Sequence, residues 1–250
     1  MEIEVRNLDY QAGKMHILQN VNTAFEGRRI CGVIGPNGCG KTTLLRHLYR
    51  NLGGYGHVFI DGKDAHSFSG REFARKVAVM MQHQNIVEKD LQVRDVIRMG
   101  RYPYKNLLTG YNRQDDRIVD SVVERTGLGL MQERRISTLS GGEMQRVMIA
   151  KCFAQQPETI ILDEPANHLD IRYKVELMKM LSAYEGLVIM TLHDLNLAAV
   201  YCDRIYVMNK GSIICSGKPE EVLRQDLLRD IYQVDIKISR NEGEMYISIG

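Results

Sequence analysis

The chain has 250 residues, a formal net charge of +2, 44% hydrophobic residues and 26% charged residues. That length suits one domain with room for a subdomain, and the near-neutral charge argues against a dedicated nucleic-acid binder, which would carry a basic stripe. The five cysteines form no CxxC pair, which argues against a disulfide framework or a zinc site and fits a reducing compartment; residues 1–6 lack the apolar run of a signal peptide, and no stretch approaches the roughly 20 apolar residues of a membrane helix.

Short strand patterns alternate with helix patterns, which predicts an α/β fold with a largely parallel sheet. Residues 3–8 read as a strand, and 15–25 contain another. Residues 30–34 are short and uniformly apolar, the mark of a buried strand, and they feed a glycine-rich loop. A helix is predicted over 41–52, stopped by Gly53 and Gly54. Ser69 and Glu72 have the spacing of a capping box before a short helix, and 77–81 form another buried strand. Helical patterns then dominate residues 88–156: helices over 93–98, over 115–125 closed by Gly127, and over 143–156. The strand–helix alternation resumes with strand 159–162, helix 172–184, and strands 187–192, 205–208 and 212–215. The alternating tail, with a turn at 241–244, predicts a small hairpin.

Gly35-Pro36-Asn37-Gly38-Cys39-Gly40-Lys41-Thr42 matches the phosphate-loop pattern between a predicted strand and a helix. Its backbone N–H groups wrap phosphate oxygens, Lys41 adds positive charge, and the Thr42 hydroxyl is placed for magnesium. Asp163 and Glu164 end the apolar strand 159–162. An aspartate there holds magnesium in phosphate-loop enzymes, and a glutamate at the carboxyl edge of the sheet accepts a proton from attacking water. His193 follows strand 187–192 at the same edge, where it can orient Glu164 or the water; the alternative is a helix-capping histidine. Gln82, with Gln84 as a competitor, follows strand 77–81 and can sense magnesium and water. A second anion site is predicted at Leu139-Ser140-Gly141-Gly142-Glu143. Ser140 and Glu143 again fit a capping box, but that does not account for the paired glycines, which allow a bulky anion close to the helix N-terminus. Cys39 beside a helix N-terminus is expected to have a lowered pKa and to be oxidisable.

In this order the motifs resemble those of the nucleotide-binding subunit of an ABC transporter, across nearly the whole chain. Residues 35–42 are similar to Walker A, Gln82 to the Q-loop residue, and 139–143 to the signature motif. Residues 160–164 resemble Walker B with its glutamate, Asn167-His168-Leu169-Asp170 the D-loop, and His193 the switch histidine. The resemblance implies a phosphate-loop NTPase (RecA-like) α/β core with a β-rich N-terminal region and a helical subdomain. As one ABC ATPase domain over 1–250, the core would be 1–87 and 157–217, the helical subdomain 88–156, and the C-terminal extension 218–250. ATP and Mg²⁺ are the implied ligands. ATP would contact residues 35–42 and Thr43, with Ser140, Gly141 and Gly142 of a second copy across a head-to-tail dimer. Mg²⁺ would be held by Thr42, Gln82 and Asp163, and Glu164, His193 and Gln82 would serve catalysis. Tyr10 fits the aromatic residue that stacks on adenine, the alternative being a core strand tyrosine.

Met99-Gly100-Arg101-Tyr102-Pro103 and residues 192–199 further resemble the importers for ferric siderophores, haem and cobalamin, whose permease is a separate chain; the alternative for 101–103 is a helix-ending turn. The implied partners are a second copy, a transmembrane permease docking near 82–104 and, through it, a solute-binding protein, with no nucleic acid. The implied location is the cytoplasmic face of the membrane. The competing reading is a non-transport ABC ATPase, such as an iron–sulfur assembly factor.

Overall fold

The computed structural model describes residues 1–81, 90–105, 110–167, 169–241 and 244–250. The chain opens with an antiparallel hairpin, β1 (Glu2–Ala12) and β2 (Met15–Glu26). Gly13, at φ 60, takes the first position of the two-residue turn, where a left-handed backbone is needed. β3 (Ile30–Ile34) leads through the glycine loop into α1 (Lys41–Leu48). β4 (Val58–Ile60) and β5 (Lys63–Asp64) join the hairpin in a sheet of order β2-β1-β4-β5. α2 (Gly70–Lys76) opens on the predicted Ser69/Glu72 capping box and runs into β6 (Val77–Met80).

α3 (Val93–Arg98), α4 (Arg113–Arg125) and α5 (Gly141–Ala154) make up the helical stretch. Then follow β7 (Thr159–Leu162), α6 (Ile171–Ser182), β8 (Leu187–Thr191), α7 (Leu195–Tyr201), β9 (Arg204–Asn209) and β10 (Ser212–Gly217). These strands complete the central sheet, order β10-β9-β3-β8-β7-β6, parallel throughout except for β10. The tail holds α8 (Pro219–Val222), α9 (Gln225–Tyr232) and the antiparallel pair β11 (Ile236–Asn241) and β12 (Glu244–Ile249).

The central sheet is covered on both faces, which is why its strands read as unbroken apolar runs. Along β3, Ile30 and Ile34 face the helical side, while Cys31 and Val33 pack with α1 and the N-terminal sheet. β8 alternates in the same way: Val188 and Met190 on one side, Leu187 and Ile189 on the other. The described loops that follow β3, β7 and β8 therefore emerge along one edge, the carboxyl ends of parallel strands.

The helical stretch is held together internally by a buried ion pair. Arg101, in the 3-10 turn Met99–Tyr104, donates to Asp115 of α4 at 2.9 Å and to the Ala154 carbonyl at the end of α5 at 2.9 Å. Arg101 is 4% exposed and Asp115 1%. Gly100 lets the turn lie against α5, because a Cβ there would stand 2.3 Å from the Lys151 carbonyl. Residues 101–103 are thus more than the helix-ending turn that is the simpler reading of their sequence.

One helix end and several short elements differ most from the sequence reading. The helix predicted over 41–52 ends at Leu48, because Arg50 adopts φ 63 and closes it. Asn51 N–H donates to the Arg46 carbonyl and Arg50 N–H to the His47 carbonyl, the paired bonds of a Schellman cap with arginine in the usual glycine position. β4, β5 and α7 to α9 were not anticipated; they are two to eight residues long, too short for periodicity to stand out.

Candidate functional site

The glycine loop wraps the end of β3, held by close backbone packing. A Cβ on Gly35 would stand 2.2 Å from the Met208 carbonyl and 2.8 Å from the Cys39 sulfur. One on Gly40, at φ 106, would stand 2.9 Å from the Ile17 carbonyl. Neither position has room for a side chain. Lys41 is 6% exposed, and its ammonium donates to the carbonyls of Gly35 (2.7 Å) and Pro36 (3.0 Å). The loop's own carbonyls thus hold the charge at its centre. A cleft of about 440 Å³ opens here. Asn37, Gly38, Gly40, Lys41, Thr42 and Thr43 line it from the loop, and Glu164 from the end of β7. Met15, His16 and Ile17 of β2 contribute the remaining wall.

The start of α1 and the ends of β7 and β8 bring polar groups together at this edge. The Thr42 hydroxyl donates to Asp163 Oδ1 at 3.2 Å, and the Thr191 hydroxyl donates to the same oxygen at 2.8 Å. Asp163 is 2% exposed, and burial raises its pKa above the ordinary carboxylate value, opposed by the two hydroxyl donors. Such a carboxylate is suited to a hard cation. The Thr42 hydroxyl and Asp163 carboxylate supply the oxygen donors that Mg²⁺ takes, alongside phosphate oxygens.

Glu164 sits with φ 54, an unusual left-handed backbone for a residue with a side chain. Its N–H donates to the Thr191 hydroxyl at 2.7 Å, which fixes that turn. Its carboxylate is gripped on both sides: Asn167 donates its amide to Oε2, and His193 Nε2 lies 2.6 Å from Oε1. Glu164 and His193 come from different strands, 29 positions apart, so only the parallel sheet brings them together. The helix cap that competes for His193 is supplied instead by Asp194, which accepts from the N–H groups of Asn196 and Leu197.

The other anion loop lies elsewhere. Ser140 caps α5, accepting from Glu143 N–H at 3.3 Å, while the Glu143 carboxylate accepts from Ser140 N–H at 2.7 Å and its hydroxyl at 2.9 Å. Those bonds lower the Glu143 pKa. Ser140 and Gly141 are exposed, and residues 139–143 contribute nothing to the lining of the Lys41 cleft.

One expectation is corrected. Cys39 is 4% exposed, packed under Gly35, and burial raises its thiol pKa more than Lys41 lowers it, so no acidified thiol is present. Tyr10 does not line the cleft; its ring packs edge-on against His47 of α1, with centroids 4.9 Å apart. It is half-buried and packs against the core between the N-terminal sheet and α1. Gln82, its competitor Gln84 and His168 fall outside the described residues.

Thr191 and Asn167 were missed as contributors. A hydroxyl ending the apolar strand β8 was the available signal for Thr191, which bridges Asp163 and Glu164. Asn167 was legible only as part of a motif; its grip on Glu164 needs the turn at 164–167, closed by Asn167 N–H donating to the Glu164 carbonyl. Gln145 of α5 also reaches this turn, donating its amide to the Pro165 carbonyl.

The profile of the ABC transporter family matches residues 18–167. The chain belongs to the ABC transporter family. It is 35% identical over 242 residues to the petrobactin import ATP-binding protein FpuD of Bacillus anthracis, covering 95% of this chain and 88% of that one. To the ferric enterobactin transport ATP-binding protein FepC of Escherichia coli (strain K12) it is 33% identical over 225 residues, covering 88% and 83%. A chain of an ABC transporter solved in an inward-facing conformation superposes with TM-score 0.82 at 20% identity, covering 99% of this chain and 96% of that one, which shows the shared fold. This member of the family is an ATP-binding ATPase coupled to transport. Among the described residues no helix is long and apolar enough to cross a membrane.

Proposed function

We propose that this chain is the ATP-hydrolysing subunit of an importer for an iron–siderophore, haem, cobalamin or related metal chelate. The contact of 2.6 Å between His193 and Glu164, beside the glycine loop, carries the hydrolytic part of this reading. Full-length kinship with ATP-binding proteins named for petrobactin, ferric enterobactin, hydroxamate and hemin import supports the class of cargo.

The glycine loop and Lys41 bind the phosphates. Thr42 and Asp163, with Gln82, would hold Mg²⁺, which would supply charge neutralisation to the triphosphate. Glu164 takes a proton from the attacking water. Asn167 and His193 hold the Glu164 carboxylate beside the glycine loop, one on each oxygen, and His193 serves the γ-phosphate. Ser140, Gly141 and Gly142 serve the ATP of a second copy. Residues 1–87 and 157–217 act as the core, 88–156 as a helical subdomain that receives the permease near 82–104, and 218–250 as an extension. The subunit works at the cytoplasmic face of the membrane through that permease.

The test is ATP hydrolysis in vesicles by the chain assembled with the permease that purifies with it. Ferric siderophore, haem or cobalamin would be presented on a binding protein. Stimulation by one of them is expected. Indifference to all three would overturn the cargo class, and undiminished turnover in Glu164→Gln would overturn the catalytic assignment.

A further inference from the structure

His193 sits in a short bridge between β8 and α7, and the bridge is fastened on both sides. On the strand side, Leu192 N–H donates to the Val33 carbonyl at 3.1 Å. On the helix side, Asp194 caps α7 by accepting from the N–H groups of Asn196 and Leu197. Asn196 also makes a contact that the hydrolytic site leaves unexplained. Its Oδ1 accepts from Ile247 N–H at 2.8 Å, and its Nδ2 donates to the Ile247 carbonyl at 3.0 Å. The two residues are 51 positions apart, one in the first turn of α7 and the other in the C-terminal strand β12.

The hairpin explains why an asparagine is suited to this place. Among the described residues β12 pairs only with β11, so alternate residues of β12 turn their backbone groups to an open edge. Ile247 is one of them, with both its N–H and its carbonyl directed at α7. A carboxamide carries an acceptor and a donor and meets both groups at once, as a neighbouring strand would. A carboxylate in its place would set a second acceptor against the carbonyl. The hairpin has other anchors. Ile236 and Ile247 are 1% and 9% exposed and share a core with Leu192 and Ala198, and Gly250 N–H donates to the Asp235 carbonyl at 2.8 Å. What the clamp adds lies on the α7 side. It fixes the first turn of a seven-residue helix, too short to hold its own position, immediately after His193.

A group that acts on a reacting centre is effective only when its neighbours hold it in place. His193 Nε2 lies 2.6 Å from Glu164 Oε1, so a small shift of the α7 start would break that contact. We propose that Asn196 is a positioning residue for His193, and that the C-terminal hairpin thereby belongs to the hydrolytic machinery. This rests on the hydrolytic role of His193 given above and extends it to a part of the chain far from the glycine loop in sequence.

The test is phosphate release by the chain assembled with its permease, with ATP affinity measured by calorimetry and folding checked by denaturant unfolding. Asn196→Ala should lower kcat by about ten-fold and leave KM and ATP affinity unchanged, a smaller loss than the roughly 100-fold of a full ångström of misplacement. Asn196→Asp keeps the shape of the side chain but not its donor, and should lose as much. In a His193→Ala background, Asn196→Ala should cost nothing further, because residues that act through one another are not additive. Wild-type turnover in either folded Asn196 variant overturns the proposal. So does a loss confined to ATP affinity, or the same fold loss with and without His193. Undiminished turnover in His193→Ala alone overturns the hydrolytic reading of that residue, and the role of the clamp with it.

Discussion

Residues 35–42 and 139–143 are both glycine-rich and both lead into a helix, but they are supported in different ways. The first loop is shaped by distant parts of the chain: Met208 against Gly35, Ile17 against Gly40, and Asp163 on Thr42, 121 positions away. Ser140 is bonded to Glu143, three positions on, and Glu143 in turn to Arg134. The first loop lines a cleft with a candidate general base already in it, whereas the second faces outward at an exposed helix end. A loop made by tertiary packing carries its own catalytic surroundings. One made by local capping is a finished surface that acts on something brought to it. This contrast supports the proposal that the second loop serves another subunit's nucleotide.

Substitutions in the two regions should therefore fail differently. The largest effect is expected at Glu164. Glu164→Gln should lower turnover by about 10²–10⁴-fold, measured by phosphate release, with ATP binding retained. Next in size is the support behind the second loop. Arg101→Met leaves Asp115 buried without its partner and should cost about 3–5 kcal/mol in denaturant unfolding. That loss would show that the helix beneath the signature loop is globally anchored although the loop itself is locally built.

The region of the glycine loop should also be the acid-sensitive one. His47 of α1 is 3% exposed, and burial, with smaller contributions from His57 and His66, lowers its pKa from 6.5 to about 4. Below the unfolded value the unfolded chain takes up a proton that the folded chain refuses. Stability is then full above about pH 6.5 and is lost as pH falls through about 4, by on the order of 3 kcal/mol. His47→Leu should flatten that part of the stability–pH curve. The smallest expected change is Ser140→Ala, about 1 kcal/mol for a lost N-cap, with ATP binding by the separate subunit unaffected.

Much of the comparison was legible in the sequence. The apolar run 30–34 and the spacing of Gly35 to Thr42 are local signals, and so is Ser140-x-x-Glu143. Strand ends at Asp163, Glu164 and His193 could be read because strands buried on both faces are uniformly apolar. What the sequence hid was long-range. Thr191 and Asn167 acquire their roles from pairing between strands and from one turn. The contact of Tyr10 with His47 was also hidden, because an aromatic residue in this hairpin looks the same in sequence whether it faces the cleft or α1. Cys39 was misread because the helix terminus suggests acidity, while burial, invisible in sequence, acts the other way.

The central claim is that the glycine loop of one copy works with residues 139–143 of the other. It is tested most directly by mixing two inactive chains, Lys41→Met and Ser140→Arg, and measuring ATP hydrolysis. In a mixed dimer the intact glycine loop of the Ser140→Arg chain meets the intact signature loop of the Lys41→Met chain, so turnover should reappear on mixing. Turnover no greater than the sum of the two separate chains would contradict the claim.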